Sequence, residues 1–594
     1  MLSLSEEDRL EIGQHFVFGF HGFEPSEDVI TLIRDYKVGN IILMKRNVQS
    51  FKQVRKLVHS LQTIAKESGQ TRPLLIGIDQ ENGLVSAFSN PNGEAGTQFP
   101  GAMALAATRD TKLVENISRM TAQELKLAGI NWAYSPVADV NSDPRNPVIG
   151  VRSFSEDPDI VSNCASSVAQ GLSSGGVAAC AKHFPGHGDT HVDSHLALPV
   201  IDKTLDELEK TELAPFNYLM KYGIDSIMTG HMALPSLRVP PHQESDAGPA
   251  SLSKVVTTHL LRRHLKYEGV VVTDCLEMKA ISDTAYGPGV ERGAVLALRA
   301  GADIVMVCHT FDWHVGSVKA VYAAVESGEL SMEDLRASGE RVTKLKKKFT
   351  SDWELNASTD EWRIEEQWKE LKEDNRRLSS RAYAASLVWS TPGDLNPFSS
   401  SFIHNSRELD VKSKFKPLDD RTRVTIYTPA KESINLAVDD PEVEGAHGDD
   451  EGILRTESGV VRNRAGESYL AFARAVERNA GRDNVMGHFV FFPSDFSQTK
   501  ILLENAVIVC LRNAHQPSSA WQIQFLKRIL NSALPSTRVV VVLTCGPYDL
   551  SGQDAASLSV VKMLKGRGEP VLCTFEFTKE ALEAAVDALY GQND

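Results

Sequence analysis

The chain has 594 residues, too many for one ordinary hydrophobic core, so two or three domains are expected. Hydrophobic residues at 42% and charged residues at 24% are ordinary globular proportions, and a formal net charge of −15 argues against a nucleic-acid partner, whose phosphates want a basic face. No apolar run approaches the roughly 18 residues needed to span a bilayer, and the acidic start MLSLSEEDRLEIGQHF lacks the basic-then-apolar pattern of a secretory leader, so a cytoplasmic protein without a membrane partner is expected.

Short runs rich in Val and Ile recur from the N-terminus onward: HFVFGF (15–20), GNIILM (39–44), LLIGID (74–79), NWAYSPVAD (131–139), VAACAKHF (177–184), DSIMTGH (225–231), GVVVTDC (269–275) and ADIVMVCH (302–309). Helical patterns separate them, such as TKLVENISRMTAQELKLAG (111–129), with apolar residues at three- and four-residue steps and a closing glycine. Near-continuous apolar strands alternating with helices imply a parallel sheet covered on both faces. Eight such units predict a (β/α)8 barrel over residues 1–348.

A charge-rich stretch, 349–385, follows and carries Trp353, Trp362 and Trp368; it reads as a linker that wraps back onto the barrel and a connecting helix. From 386 to 594 new strand candidates appear: SLVWS (386–390), RVTIYT (423–428), HFVFFP (488–493), AVIVCLRN (506–513), RVVVVLT (538–544) and PVLCTFEF (570–577). Helices such as WQIQFLKRILNSA (521–533) lie between the later ones, which predicts an open α/β sandwich domain. Within it, 432–465 is acidic and poor in aromatics, and is expected to be a mobile loop. Six of the seven cysteines, Cys180, Cys275, Cys308, Cys510, Cys545 and Cys573, sit in or beside apolar runs, and no two form a CxxC pair. They read as buried thiols of a reducing compartment.

Active sites of such barrels lie at the C-terminal ends of the strands. Polar residues gather there: Asp79-Gln80-Glu81, Asp139, Lys182-His183, His231, Asp274 and His309. The segment KHFPGHGDTHVDSH (182–195) places His183, His187, His191 and His195 at steps of four, the spacing of a helical zinc pair. Pro185, Gly186 and Gly188 interrupt any helix, so the segment reads as a loop leaving the fifth strand and the spacing loses its meaning. No metal is expected. Asp193 and His195, two residues apart, project to the same side of an extended segment. A carboxylate beside an imidazole sets its tautomer and favours its protonated form, making an acid usable near neutral pH.

These segments resemble the β-N-acetylhexosaminidase branch of glycoside hydrolase family 3, whose signature is similar to K-H-F-P-G-H-G-D-T-x-V-D-S-H. GIDQENG (77–83), FPGAMAL (99–105), SPVADVN (135–141), RNPVIGVRSFSEDP (145–158), TGHM (229–232) and VVTDCLEM (271–278) agree in order. The resemblance implies a barrel followed by an α/β sandwich, no cofactor, and a retaining exo-β-N-acetylglucosaminidase acting on a small carbohydrate. It implies Asp274 as the nucleophile and His195, oriented by Asp193, as the acid/base. Asp79, Arg152, Lys182, His183, His231 and Met278 would bind the terminal sugar. The family's D-Q-E-G-G-R-V-x-R reads here Asp79-Gln80-Glu81-Asn82-Gly83-Leu84-Val85-Ser86-Ala87, with both arginines absent. A phosphorylase using the same residues and a metal-dependent barrel hydrolase are the alternative activities; chitin fragments, muropeptides and glycoprotein glycans all fit as substrates.

Overall fold

The apolar runs become strands because each is flanked by turn residues and is too short for a helix that would bury it on all sides. In the computed structural model the described residues are 4–89, 94–190, 198–241, 248–283, 287–350, 353, 361–392, 412–413, 415–430, 453–455, 461–464, 466–493, 497, 501–552 and 554–592. They form two compact units, Met1–Gln98 with Asp110–Leu378, and Phe99–Arg109 with Ser379–Asp594.

The first unit is a closed barrel of eight strands in sequence order. They are β1 (Phe16–Phe18), β2 (Asn40–Leu43), β3 (Leu75–Ile78), β4 (Trp132–Ala133), β5 (Ala178–Phe184), β6 (Ser226–Thr229), β7 (Val270–Cys275) and β8 (Ile304–Val307). Every neighbouring pair is parallel, including β8 back to β1, as the predicted (β/α)8 barrel requires. Val17, Ile42, Leu75, Trp132, Ala178, Met228, Val272 and Met306 fill its interior, so the centre is a packed core rather than a pore. The Trp132 indole, which needs an acceptor when buried, donates to Ser226 Oγ at 2.9 Å.

Charged groups brace the N-terminal end. Asp303, fully buried before β8, accepts from Arg262 Nη2 at 2.5 Å, Arg341 Nη2 at 2.6 Å, Ser338 Oγ at 2.6 Å and the Val271 N–H at 2.8 Å. Lys346 donates to Gln14 Oε1 at 2.7 Å and to the Gly39 carbonyl at 2.8 Å. Helix Glu361–Ser386 follows. Its Trp368 stacks on Phe51 with ring centroids 4.0 Å apart, and its Asn375 donates to Glu124 Oε1 at 2.8 Å.

The second unit holds a six-stranded sheet of β9 (Val388–Ser390), β10 (Val424–Pro429), β11 (Val485–Phe491), β12 (Ala506–Leu511), β13 (Arg538–Leu543) and β14 (Val571–Cys573). The order across it is β9-β14-β13-β12-β10-β11, with β9 antiparallel to β14 and the other pairs parallel. From β11 to β14 this is the doubly wound order 2-1-3-4-5, an open α/β arrangement. Glu576, buried just past β14, accepts the Gly101 N–H at 2.6 Å and the Tyr383 hydroxyl at 2.9 Å, which ties segment Phe99–Arg109 into this unit. Most of the acidic segment 432–465 lies outside the described residues; its parts Ile453–Arg455 and Val461–Arg464 pair as antiparallel strands. All seven cysteines are free, and all but Cys275 are buried. No helix among the described residues is long and apolar enough to cross a membrane.

Candidate active site

The polar residues singled out at the strand ends meet at the C-terminal end of the barrel. From β3, Asp79 and Glu81 face Lys182 of β5: its ammonium lies 2.6 Å from Asp79 Oδ1 and 2.7 Å from Glu81 Oε1. Arg152, on a short turn before helix Pro158–Ser174, grips Glu81 with Nε at 2.9 Å and Nη2 at 2.7 Å. Two cations on one buried carboxylate outweigh the cost of its burial and hold Glu81 down at about 2, while the carboxylates raise Lys182 and Arg152 above their ordinary values despite burial. All three stay ionised across the working pH range.

Between Asp79 and Lys182 runs the hairpin Gln80–Asn82 with Val85–Ser86. Asn82 and Gly83 both have positive φ, 66° and 62°, a turn that Asn-Gly adopts readily. Leu84 and Ala87, where the resemblance led to an expectation of arginines, are half-buried on this hairpin, and the Ala87 N–H donates to the Asp79 carbonyl at 3.0 Å.

The loop after β5 is held from below by Asp139, fully buried after β4. One of its oxygens accepts the His183 N–H at 3.1 Å and the His187 N–H at 2.7 Å; the other accepts from His183 Nδ1 at 2.7 Å. This contact fixes the proton of His183 on Nδ1 and aims the ring. Asn146 adds three donations, to the His187 carbonyl at 2.8 Å, the Gly188 carbonyl at 3.0 Å and Thr190 Oγ1 at 3.1 Å. A Cβ at Gly188 would overlap the Val140 carbonyl, so glycine is required where loop and support touch. His187 is buried, which pushes its imidazole down to about 4 and leaves it neutral.

Asp274 ends β7. Burial pushes its carboxyl up, yet proximity to His183 and His231, the Cys275 N–H at 2.7 Å and Lys182 hold it below the usual carboxylate range. His231, past β6, contacts the Cys275 carbonyl with Nε2 at 2.9 Å and Ser251 Oγ with Nδ1 at 2.7 Å. A carbonyl accepts only, so Nε2 carries a proton toward it. The Met278 N–H binds the same carbonyl at 3.2 Å. Glu277, between them, accepts the N–H groups of Cys308 at 2.6 Å, His309 at 2.5 Å and Thr310 at 2.9 Å, and so clips the loop after β8 to that after β7.

Asp79, Arg152, Lys182, His183, His231 and Asp274 thus form one polar cluster, with Met278 on the adjoining turn. Asp193 and His195 lie outside the described residues, as does His191. Three supports have partners that the sequence does not reveal. Glu81 and Asp139 stand at strand ends as expected, but nothing local shows that Glu81 clamps two cations, that Asp139 orients His183 or that Asn146, away from any strand end, holds the loop.

Residues 9–345 match the family described as the glycosyl hydrolase family 3 N terminal domain. A β-hexosaminidase A of Pseudoalteromonas piscicida is 38% identical over 336 residues, covering 54% of this chain and 54% of that protein. The chain therefore spans about half the length of that curated relative. A β-hexosaminidase of Chromobacterium violaceum is 36% identical over 278 residues, covering 46% of this chain and 72% of its own. Among solved structures, a glycoside hydrolase family 3 β-N-acetylglucosaminidase from Paenibacillus sp. str. FPU-7 superposes with a TM-score of 0.73 at 29% identity, over 99% of this chain and 97% of that one. A β-glucoside phosphorylase, at 19% identity and a TM-score of 0.70, shares the fold.

Proposed function

Since the chain belongs to glycosyl hydrolase family 3, we propose that it is a retaining exo-β-N-acetylglucosaminidase that removes terminal N-acetylglucosamine from β-linked oligosaccharides or glycoconjugates. The observation that carries this reading is Asp274: a half-buried carboxylate kept ionised at the end of a barrel strand, beside a cluster of hydrogen-bond donor and acceptor groups. An ionised carboxylate in that position is a nucleophile for an anomeric carbon. Lys182 offers donors and Asp79, still partly exposed, offers acceptors, the pairing that neighbouring sugar hydroxyls require. His183, Arg152, His231 and Met278 complete the surround of the terminal sugar.

In the first step Asp274 attacks the anomeric carbon from below while the glycosidic oxygen leaves with a proton from His195. In the second, His195 takes a proton from water, which displaces the carboxylate from the face the leaving group vacated. Asp193 is assigned the orientation of the His195 ring by the resemblance of its motif. An imidazole here replaces one of the usual two carboxylates, and its ordinary titration range suits both halves of the cycle.

Two inversions leave the configuration unchanged, so proton NMR of a fresh reaction with a β-linked N-acetylglucosaminide should record the β-anomer first, with the α-anomer growing by mutarotation. First appearance of the α-anomer would rule out the covalent route. Running the same reaction in phosphate should leave free sugar as the product; a sugar phosphate in its place would make the enzyme a phosphorylase.

A further inference from the structure

Strand β7 has an irregular register against β8: Val272 pairs with Ile304, but Cys275 pairs with Met306, so β7 spends one extra residue between them. A bulge of this kind re-aims side chains. Met306 and, two residues on, Cys308 face the barrel interior. The extra residue brings Cys275 to the same side, where it packs against that core beside Asp274. The ligand atoms of Cys275, Cys308 and His309 consequently lie within 4.8 Å of one another. Burial is graded from Cys308 inside to His309 outside, so the cluster opens toward solvent.

We propose that Cys275, Cys308 and His309 form a binding site for a thiophilic divalent cation of the zinc class. Two thiolates and one imidazole, with water as the fourth ligand, are an ordinary zinc set. In a tetrahedral site with Zn–S near 2.3 Å the sulfur atoms are about 3.8 Å apart, so the cluster needs to contract by about 1 Å or less. Ligation by a thiolate displaces the thiol proton, so binding is expected to release protons. Glu277 assists, with Oε2 3.7 Å from Cys275 Sγ and its carboxylate clipping the Cys308–His309 backbone. Arg46 opposes, since it donates to His309 Nδ1 at 3.0 Å and brings a positive charge. Two thiolates outweigh one guanidinium, and the cation must displace this contact or shift the ring's proton to gain the imidazole.

Occupancy is expected to slow turnover. Cys275 donates its N–H to Asp274 and its carbonyl accepts from His231, so a pull on its sulfur moves the backbone that positions both. This consequence rests on the proposed glycosidase reading; the binding itself does not.

Cobalt(II) titrated into the reduced full-length protein provides the test, because thiolate ligation produces a near-ultraviolet sulfur-to-cobalt charge-transfer band that histidine or carboxylate ligation does not. One equivalent should develop the band, and zinc should bleach it. Cys308→Ser, which keeps the buried volume, should remove most of the intensity. His309→Ala, on the exposed side, should keep the band and weaken affinity on the order of 10–100-fold. Zinc inhibition of glycoside hydrolysis should weaken in parallel in His309→Ala. No band in the wild type, or an equal band in Cys275→Ser/Cys308→Ser, would overturn the site. A band with no effect of zinc on turnover would overturn the coupling to Asp274 while leaving the site.

Discussion

At the N-terminal end of the barrel, Asp303 has both carboxylate oxygens committed, to two arginines, a serine and a backbone N–H. At the C-terminal end, Asp274 is only half-buried, and among the described residues its carboxylate accepts a single hydrogen bond, from the Cys275 N–H. The two aspartates sit at opposite ends of neighbouring strands, β8 and β7. Asp303 is saturated, and its ionic contacts are spent on holding the helices to the barrel floor. Asp274 is kept ionised by the fields of its neighbours rather than by direct partners, so its oxygens keep capacity for something else. A barrel can host both because stability and chemistry are assigned to opposite ends of its strands.

That contrast breaks most sharply at Asp274. Asp274→Asn removes the proposed nucleophile and should lower kcat on the order of 10⁴-fold or more, while the thermal midpoint falls only a little, because a carboxylate held below its usual range contributes modest stability that the amide loses. A large loss of stability with modest loss of activity would give Asp274 the role assigned to Asp303. The converse variant, Asp303→Asn, leaves Arg262 and Arg341 without their buried counter-charge and should cost roughly 3–5 kcal/mol of stability. Urea unfolding measures it, and turnover per folded molecule should be unchanged.

A pH-dependent effect is expected at Lys346, at the same floor. Burial lowers its ammonium to about 7 from an ordinary value of 10.5, with nearby Arg72 adding to the shift. A cation with a depressed folded value binds fewer protons folded than unfolded between these two pH values, so its contribution makes stability rise from pH 7 toward 10.5, and the gain is lost as pH falls from 10.5 to 7. The carbonyls that accept from Nζ moderate the effect. Lys346→Met should therefore flatten the alkaline limb of the stability–pH curve relative to wild type, as thermal midpoints between pH 7 and 10 would record. An identical slope in both proteins would mean that Lys346 stays charged in place.

The strands were legible because a barrel strand is a local pattern: each Val- and Ile-rich run from 15–20 to 302–309 is short, apolar and bounded by turns. Asp79, Lys182, His183, His231 and Asp274 were legible for a related reason, since each ends such a run. Their pairings were not. Lys182 meets Asp79 across 103 residues of sequence, Arg152 meets Glu81 across 71, and His183 meets Asp139 across 44. Glu81 was legible as a strand-end carboxylate, but nothing in its neighbourhood marks it as a clamp for two cations.

Likewise, Cys275 and Cys308 read as two unrelated small hydrophobic residues until β7 and β8 pair and a bulge turns one toward the other. The amino-acid order alone determined the barrel's strand count, the parallel direction of its strands and where its polar residues would gather, because hydrophobic periodicity and turn residues act over a few neighbours. Closure of the barrel decided which charges pair, which carboxylate stays ionised and which thiols meet, because those energies depend on distance and burial between groups that the chain places far apart.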